Sequence, residues 1–388
     1  MNRGSTQDAG AGRVTFVLPA LGAGGSEHVV SMLANRLTQT GLPVSIITFE
    51  APDTPSYYPL VPGVLLHQLG LPPGSSDGMG RYFDSVSRIR RLNAAFRRDR
   101  PALVISFLTR TNVLSVLAAT GLDIPVIVSE RNNPELQDPG SVWNLLRRLT
   151  YPRAHGLITM TRGALDHFPP SMRRRGWVIP NMADWHIMRT VHDGGPKVFT
   201  AVGRLVAQKG FDMLIDAFAS VAGGHPDWIL RIWGEGPDRA ALERQIALRG
   251  MTARIQLPGV SDSPGSWIGS ADAFVLSSRF EGWGLVLGEA MAAGLPAVSF
   301  NCHWGPEEMI DQGENGLLVP PDDVAALAAA MARLMGDADL RTRLGEAATL
   351  SMQRFRPERI LDKWRTIIGD VLDTADIQQE VGYGHVCQ

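Results

Sequence analysis

This chain of 388 residues has few cysteines and no long apolar run, and each of these features restricts the class of protein to which it can belong. The two cysteines, Cys302 and Cys387, form neither a disulfide framework nor a set of metal ligands, and such usage favours a reduced, cytoplasmic setting. No stretch approaches the roughly 18–20 consecutive apolar residues of a membrane span. A hydrophobic content of 44% in a chain of this length instead predicts two globular domains, each with its own core.

Two ligand-binding patterns are also missing. There is no Asp-x-Asp pair between apolar strands, so no metal site and no cofactor are expected. The stretch from Gly22 to Glu27 superficially matches a dinucleotide fingerprint, but Glu27 occupies the last position, where G-x-G-x-x-G requires glycine or alanine. A tight strand–helix turn is the plain alternative for this segment.

The net charge of −2 conceals a strongly basic segment. Between residues 81 and 175 there are 16 arginines and 7 acidic residues. This excess predicts a face for an anionic partner, and a phospholipid surface or a lipid diphosphate fits it. A solvated arginine-rich surface is the alternative. No nucleic-acid-binding motif accompanies the charge, so no nucleic-acid partner is expected.

Apolar strand-like runs alternate with helical stretches in both halves, which predicts parallel sheets covered on both faces. We predict that residues 1–12 are disordered and carry no signal pattern. An N-terminal domain spans 13–192, a linker 193–196 and a C-terminal domain 197–358. A last helix covers 359–375, and a tail covers 376–388. In the first half the expected strands include 64–66 and 178–181, and a basic helix spans about 82–98. Asp322 and Asp323 are expected to cap an alanine-rich helix from about Val324.

Glu281 and Glu289 stand eight positions apart, on either side of a Gly-Trp-Gly loop. A buried strand precedes them and an apolar helical stretch follows, so the unit is strand, glycine turn and helix. Free N–H groups at a helix start favour anions, and carboxylates accept hydrogen bonds from vicinal hydroxyls. The combination predicts a nucleotide-sugar site. The alternative for a glutamate pair at this spacing is two ordinary solvated residues.

A second loop follows another predicted strand, which ends at Gly203. Arg204 and Lys209 both lie in this loop, and Lys209 is one of only three lysines in the chain. Arginine clamps phosphate oxygens with two parallel hydrogen bonds, and lysine supplies a point charge. These two cations predict a site for a diphosphate.

The segment from Glu281 to Glu289 has the pattern E-x7-E, and the segment from Gly203 to Gly210 has the pattern G-R-x-x-x-x-K-G. Together they resemble the corresponding motifs of the retaining glycosyltransferases of the family-four group. Within it, the chain resembles members that act on lipid-linked saccharides in polysaccharide or glycan biosynthesis. The resemblance implies an α/β fold of the GT-B type, with two doubly wound Rossmann-like domains facing across a cleft. It also implies that the last helix returns to the N-terminal, acceptor-side domain, while the C-terminal domain binds the nucleotide-sugar donor.

By this resemblance, the catalytic residues are Arg204, Lys209 and Glu281, and the two cations stabilise the leaving diphosphate without a metal. Glu289 accepts hydrogen bonds from the ribose, and loops near 233–237 and 257–260 contact the base. The full expected donor-binding set is Gly203, Arg204, Lys209, Gly234, Val260, Glu281, Gly282, Trp283, Gly284, Leu285 and Glu289.

On the acceptor side the resemblance implies roles for Gly24, Gly25 and Ser26 in the first glycine loop. Arg131 follows a buried strand where many relatives have histidine, so an arginine there is expected to bind an acceptor diphosphate. Arg110 lies at a second strand end and is a parallel case. His303 is expected to be a loop residue, and Cys302 a small buried one.

The sequence thus predicts a retaining glycosyltransferase that moves a hexose or N-acetylhexosamine from a nucleoside-diphosphate sugar, with UDP favoured. The acceptor is a lipid-linked saccharide, the new bond is α, and the enzyme works peripherally on the inner face of the cell membrane. Front-face displacement is the expected mechanism. Two alternatives remain: another nucleotide-sugar enzyme, such as an epimerase or a sugar-phosphate synthase, and a non-catalytic nucleotide-sugar-binding subunit.

Overall fold

The computed structural model describes residues 12–71, 79–183 and 195–383, with the backbone alone for 79–83 and 374–383. The chain forms two compact units, one of residues 1–179 with 361–388 and the other of residues 180–360. Of the predicted linker, 193 and 194 fall outside the described residues, as do 1–11 of the predicted N-terminal segment and 384–388 of the tail.

The first unit is built on a parallel sheet of order β3-β2-β1-β4-β5-β6-β7. Its strands are β1 (Val14–Val17), β2 (Val44–Thr48), β3 (Leu65–Gln68), β4 (Leu103–Phe107), β5 (Val126–Ser129), β6 (Gly156–Thr159) and β7 (Gly176–Val178). The helices between them are α1 (Gly25–Gln39), α2 (Met79–Asp99), α3 (Thr109–Ala119), α4 (Ser141–Thr150), α5 (Arg162–Asp166) and α6 (Pro170–Arg173).

The second unit has a parallel sheet of order β10-β9-β8-β11-β12-β13. Its strands are β8 (Lys197–Val202), β9 (Trp228–Trp233), β10 (Ile255–Gly259), β11 (Ala273–Leu276), β12 (Ala297–Phe300) and β13 (Leu317–Val319). Its helices are α7 (Phe211–Val221), α8 (Arg239–Leu248), α9 (Leu285–Ala292), α10 (Pro306–Met309), α11 (Val324–Gly336) and α12 (Ala338–Ser351). The final helix, α13 (Pro357–Tyr383), begins in this unit and continues into the first.

The central strands are short apolar runs that are buried along their whole length, as β1, β4 and β11 show. Strands covered on both faces by helices lose the alternation of apolar and polar residues, and this is why continuous runs predicted them correctly. The edge strands were harder to place. The third strand was expected at 64–66 and is Leu65–Gln68, and the seventh was expected at 178–181 and is Gly176–Val178. Both are incompletely buried, so their apolar signal is weak.

Both sheets reverse their strand order beside the first strand of the unit, between β1 and β4 and between β8 and β11. The loops after such strands diverge at the carboxyl edge and leave the crevice in which doubly wound sheets bind ligands. In the second unit these loops are the one after β8, which contains Lys209, and the one after β11, which contains Glu281. The fold therefore brings together the two segments singled out in the sequence.

Candidate active site

The loop after β8 is fixed to the end of β11. Its residues 207–209 form a short 3-10 turn, and Gly210, with a φ of 62°, is the N-cap of α7. A Cβ at Gly210 would lie 2.0 Å from the Ser277 carbonyl oxygen, so only glycine allows the two backbones to approach so closely. The Ser277 hydroxyl donates to the Lys209 carbonyl oxygen at 2.9 Å. The position of Lys209 is thus set by the neighbouring strand.

Lys209 and Glu281 form the central ion pair of this site. The Lys209 Nζ lies 2.6 Å from the Glu281 Oε1, and their side chains are 19% and 8% exposed. The Ser278 hydroxyl donates to the same carboxylate oxygen at 2.6 Å. Gly203 makes room for the lysine stem, since a Cβ there would be 3.1 Å from the Lys209 Cδ. A buried carboxylate needs such partners, and here it has a cation and a hydroxyl.

A further ion pair joins the loop after β11 to the first turn of α7. Arg279 donates from its two terminal nitrogens to the two carboxylate oxygens of Asp212, at 2.9 and 2.7 Å, and also to the Ala207 carbonyl oxygen. This bidentate pair lowers the pKa of Asp212 below its ordinary value. Sequence reasoning missed Ser277, Ser278, Arg279 and Asp212, because the contacts between these two segments join residues 67–72 positions apart along the chain.

Glu289 is the fifth residue of α9 and, like Glu281, is 6% exposed. Both glutamates are therefore buried, which excludes the ordinary solvated pair. Gly284 precedes α9 with a φ of 87°, and Leu285 is the first helical residue. The first N–H groups of an α-helix have no acceptor within the helix. This end of α9, close after Gly282, can therefore donate to an anion.

Trp283 has a structural role that the sequence did not predict. Its side chain is 1% exposed and meets the Phe355 ring edge-on, with centroids 5.2 Å apart. A Cβ at Gly288 would be 2.8 Å from the indole ring, so this glycine leaves space for it. The buried indole therefore anchors the loop, and the expected donor contact of Trp283 stays a prediction.

The remaining donor-side residues lie at the ends of neighbouring strands. A Cβ at Gly234 would be 1.9 Å from the Gly203 carbonyl oxygen, so the loop after β9 touches the loop after β8. Arg204 is exposed, and no ion pair to its guanidinium occurs in the described part of the chain. Val260 follows β10 and is 48% exposed. Cys302 is buried, and this raises the pKa of its thiol.

In the first unit the glycine loop after β1 leads into α1. Gly24 precedes the helix and accepts from the His28 N–H, Gly25 begins it, and Ser26 follows. A Cβ at Gly24 would be 2.3 Å from a Glu27 carboxylate oxygen, so the Glu27 side chain folds back over this glycine. Glu27, the residue that breaks the dinucleotide pattern, therefore occupies space beside the loop.

Arg131, the second residue after β5, is held in an unusual setting. The residue is 6% exposed, and its guanidinium lies over the rings of Phe107 and Trp364, at 5.2 and 5.8 Å from the centroids. None of its three side-chain nitrogens has a hydrogen-bond acceptor among the described residues. Burial lowers its pKa to about 9. Arg110 differs: it is exposed, lies over Trp143 and donates to the Pro139 carbonyl oxygen.

Glu130, beside Arg131 in the chain, pairs with other groups. It accepts a short hydrogen bond from the Tyr151 hydroxyl and another from Thr109 at 3.0 Å, while Asn112 donates to the Tyr151 oxygen. Burial raises the pKa of the Glu130 carboxyl and of the Tyr151 hydroxyl. For Glu130, the hydrogen bonds from Tyr151 and Thr109 and the positive charge of Arg147 oppose this rise, and burial outweighs them.

Two family models match the chain, one in each half. The glycosyl transferase 4-like domain matches residues 24–182, and the model of glycosyl transferases group 1 matches residues 186–351. Together they cover most of the sequence.

Among curated proteins, an exopolysaccharide phosphotransferase of Streptomyces coelicolor is 31% identical over 80% of this chain, which spans about a third of that relative's length. An uncharacterized glycosyltransferase of Haemophilus influenzae is 23% identical over 91% of this chain and 98% of its own. The third is an α-1,4-N-acetyl-D-galactosaminyltransferase of Campylobacter jejuni, 26% identical over 92% of this chain and 99% of its own. The name of this relative includes a saccharide linked through a diphosphate to undecaprenol.

Solved structures share the fold. A sucrose-phosphate synthase from Thermosynechococcus elongatus has a TM-score of 0.81 at 18% identity, covering 93% of this chain and 99% of its own. An Anabaena protein solved with UDP and glucose has a TM-score of 0.76 at 17% identity, covering 92% and 99%.

The fold is therefore GT-B, as predicted. With a 4-like domain followed by a group 1 domain, the chain belongs to the glycosyltransferase enzyme family.

Proposed function

We propose that this enzyme is a retaining, metal-independent glycosyltransferase that acts on a nucleoside-diphosphate sugar and a lipid-linked saccharide. The transferred group is a hexose or N-acetylhexosamine, UDP is the favoured nucleotide, and the product is an α-glycoside in polysaccharide or glycan assembly. The observation that carries the proposal is the Lys209–Glu281 pair, which joins the loops on either side of the sheet reversal in the second unit.

The donor diphosphate would bind at the carboxyl edge of β8 and β11. Arg204 is an exposed residue of the same loop as Lys209 and offers a bidentate clamp, while Lys209 and the first amides of α9 supply further positive charge. These groups stabilise the charge that develops on the leaving diphosphate, and such electrostatic stabilisation usually contributes most to catalysis. Glu281 is assigned to the hydroxyls of the transferred sugar and Glu289 to the ribose.

The chemical step is a front-face displacement. The acceptor oxygen forms a bond to the anomeric carbon on the same face from which the phosphate oxygen leaves. The electron pair of the broken bond goes to the diphosphate, and the acceptor proton passes to that departing oxygen. No covalent sugar–enzyme bond forms, so trapping one would contradict the mechanism.

Two observations favour a lipid-linked acceptor. The Campylobacter relative, which this chain matches over nearly its whole length, is named for a diphospho-undecaprenol-linked saccharide. The first unit contains the basic segment, and its Arg131 is a buried cation without an acceptor among the described residues, suited to a diphosphate. Within the described ranges no helix is long and apolar enough to cross a bilayer. From the relative and the basic segment we propose that the enzyme works peripherally on the inner face of the cell membrane, with the acceptor head group against the first unit.

A transfer assay tests this proposal. Purified enzyme is incubated with radiolabelled UDP-, GDP- or ADP-sugars and with either a polyprenyl-diphosphate saccharide or a sugar phosphate, with and without EDTA. We expect label in the lipid-linked product with a UDP-sugar, unchanged by EDTA, and an α anomer by NMR. Label only in a soluble sugar phosphate would establish the alternative of a sugar-phosphate synthase, and interconversion of free nucleotide-sugars would establish an epimerase.

A further inference from the structure

Half of the exposed large apolar side chains fall in one short stretch of the chain. Eight such side chains occur in the described part of the chain, and four of them, Leu136, Val142, Leu145 and Leu149, lie within residues 136–149. The other four are spread from residue 65 to residue 350. Single exposed apolar residues are normal on protein surfaces, but a cluster marks an interaction site.

Three of the four form a row on α4. With 3.6 residues per turn, positions 142, 145 and 149 fall on one side of the helix. They are 66%, 58% and 55% exposed. A different side of α4 serves the core, where Trp143 and Leu146 pack and Thr150 is buried. The outward row is therefore not required for folding the first unit.

The charge around this row is positive. Helix α4 contains no acidic residue, and Arg148, on the side of the row away from the core, is exposed. Arg153 is exposed just beyond the helix. Arg147 is held inward over Phe168, at 5.9 Å from the ring centroid. The acids nearest in sequence, Glu135 and Asp138, lie before the helix, and Asp138 accepts from Asn144.

We propose that the row of Val142, Leu145 and Leu149, together with Leu136, is the surface by which this enzyme lies on an anionic lipid bilayer. A helix with exposed leucines beside arginines binds in the plane of the head groups, where apolar burial and attraction to anionic lipid add together. Because α4 also packs on α3, docking would hold the first unit against the lipid. The inference rests on the proposed function for its purpose, since a lipid-linked acceptor lies in that bilayer.

Vesicle sedimentation tests the surface. The proteins are wild type, L145E/L149E and the control L248E, whose leucine is 87% exposed on α8 in the second unit. We expect the wild type and L248E to bind phosphatidylglycerol-containing vesicles at low salt. The double variant should bind these vesicles at least about tenfold more weakly. It loses the apolar area that the two leucines would bury in the bilayer, and its two new carboxylates are repelled by the anionic lipid. Binding to pure phosphatidylcholine should be weaker throughout. Equal binding by all three proteins, or no binding by the wild type, overturns the proposal.

Two measurements complete the test. Hydrogen exchange on the wild type should show new protection within 136–149 on adding vesicles, and protection elsewhere alone would contradict this surface. Light scattering should give the same mass for the wild type and the double variant. A larger mass that falls in the variant would assign the row to a second copy and overturn the proposal.

Transfer to a water-soluble, short-chain acceptor separates the docking surface from the proposed function. The rate should be equal in the wild type, the double variant and the control, because none of the changed leucines belongs to the donor site. Failure of transfer in all three proteins, with the vesicle result intact, would remove the proposed function and leave the docking surface.

Discussion

The Lys209 Nζ lies 2.6 Å from the Glu281 Oε1, although the two residues are 72 positions apart in the chain. The contact exists because β8 and β11 are neighbours at the reversal of the sheet, so their loops diverge around one point. The pair therefore links the fold of the second unit to its proposed chemistry, and substituting one of its members tests that link.

Replacing Lys209 with methionine removes the cation and leaves Glu281 buried with Ser278. We expect kcat for sugar transfer to fall about 100- to 1000-fold, the usual effect of deleting one group that stabilises developing charge. The matched control is Lys197→Met, whose lysine forms a more exposed pair with Asp227 at 2.7 Å. An exposed pair contributes at most about 1 kcal/mol, so the control should keep full activity. Equal losses in both variants would show that Lys209 has no special role.

Gly210→Ala tests the close approach between the two loops. The new Cβ would lie 2.0 Å from the Ser277 carbonyl oxygen, so the backbone must shift. Gly250 is a matched control, because its φ of 68° is similar to the 62° of Gly210 and nothing lies within 4 Å of its Cβ position. In thermal unfolding, Gly250→Ala should lower the free energy of unfolding by about 1–2 kcal/mol, which is the cost of the left-handed conformation, and Gly210→Ala should lower it further. Only Gly210→Ala should weaken nucleotide binding. Equal losses of stability and of binding in the two variants would show that the close approach to Ser277 is not required.

The buried Glu130 predicts a pH dependence. Burial raises its pKa above the ordinary value of 4.5. The folded state then binds more protons than the unfolded state between the two pKa values, so stability declines as the pH rises through that window. Glu130→Gln stays neutral and should escape the decline. The melting temperature of the variant relative to wild type should rise from about pH 4.5 upward and level off above the folded pKa. Parallel profiles would show that the carboxyl is not perturbed.

Arg131→Met separates stability from function. Methionine keeps an unbranched chain between Phe107 and Trp364 and removes a buried cation that has no acceptor among the described residues. Because an unpaired buried charge is costly, we expect an unchanged or higher melting temperature. Transfer to the lipid-linked acceptor should fall at least about tenfold while nucleotide binding is retained, as loss of one charged contact implies. The control Arg97→Met, which replaces an exposed arginine, should change neither the melting temperature nor the rate of transfer. A large loss of stability in Arg131→Met would make the guanidinium structural.

Local pattern predicted most of the fold and part of the site. Buried parallel strands are continuous apolar runs, and Asp323 caps α11 by accepting from the Ala326 N–H, as expected from its position. Helix α4 was not among the predicted elements, although Val142, Leu145, Leu146 and Leu149 have the i, i+3, i+4, i+7 spacing of an amphipathic helix. What this spacing does not reveal is that Leu146 packs on the core while the other three stay exposed. The partners of Lys209 and the burial of Trp283 depend on contacts made only when distant segments of the chain become neighbours in the fold.

The central claim is tested most directly by a thermal-shift measurement with UDP, GDP and ADP, with and without EDTA. A ligand that binds only the native state raises its melting temperature. We predict a shift with UDP that EDTA does not change, that Lys197→Met retains and that Lys209→Met loses. No shift with any nucleotide, or a shift that persists in Lys209→Met, would contradict a donor site built on Lys209 and Glu281.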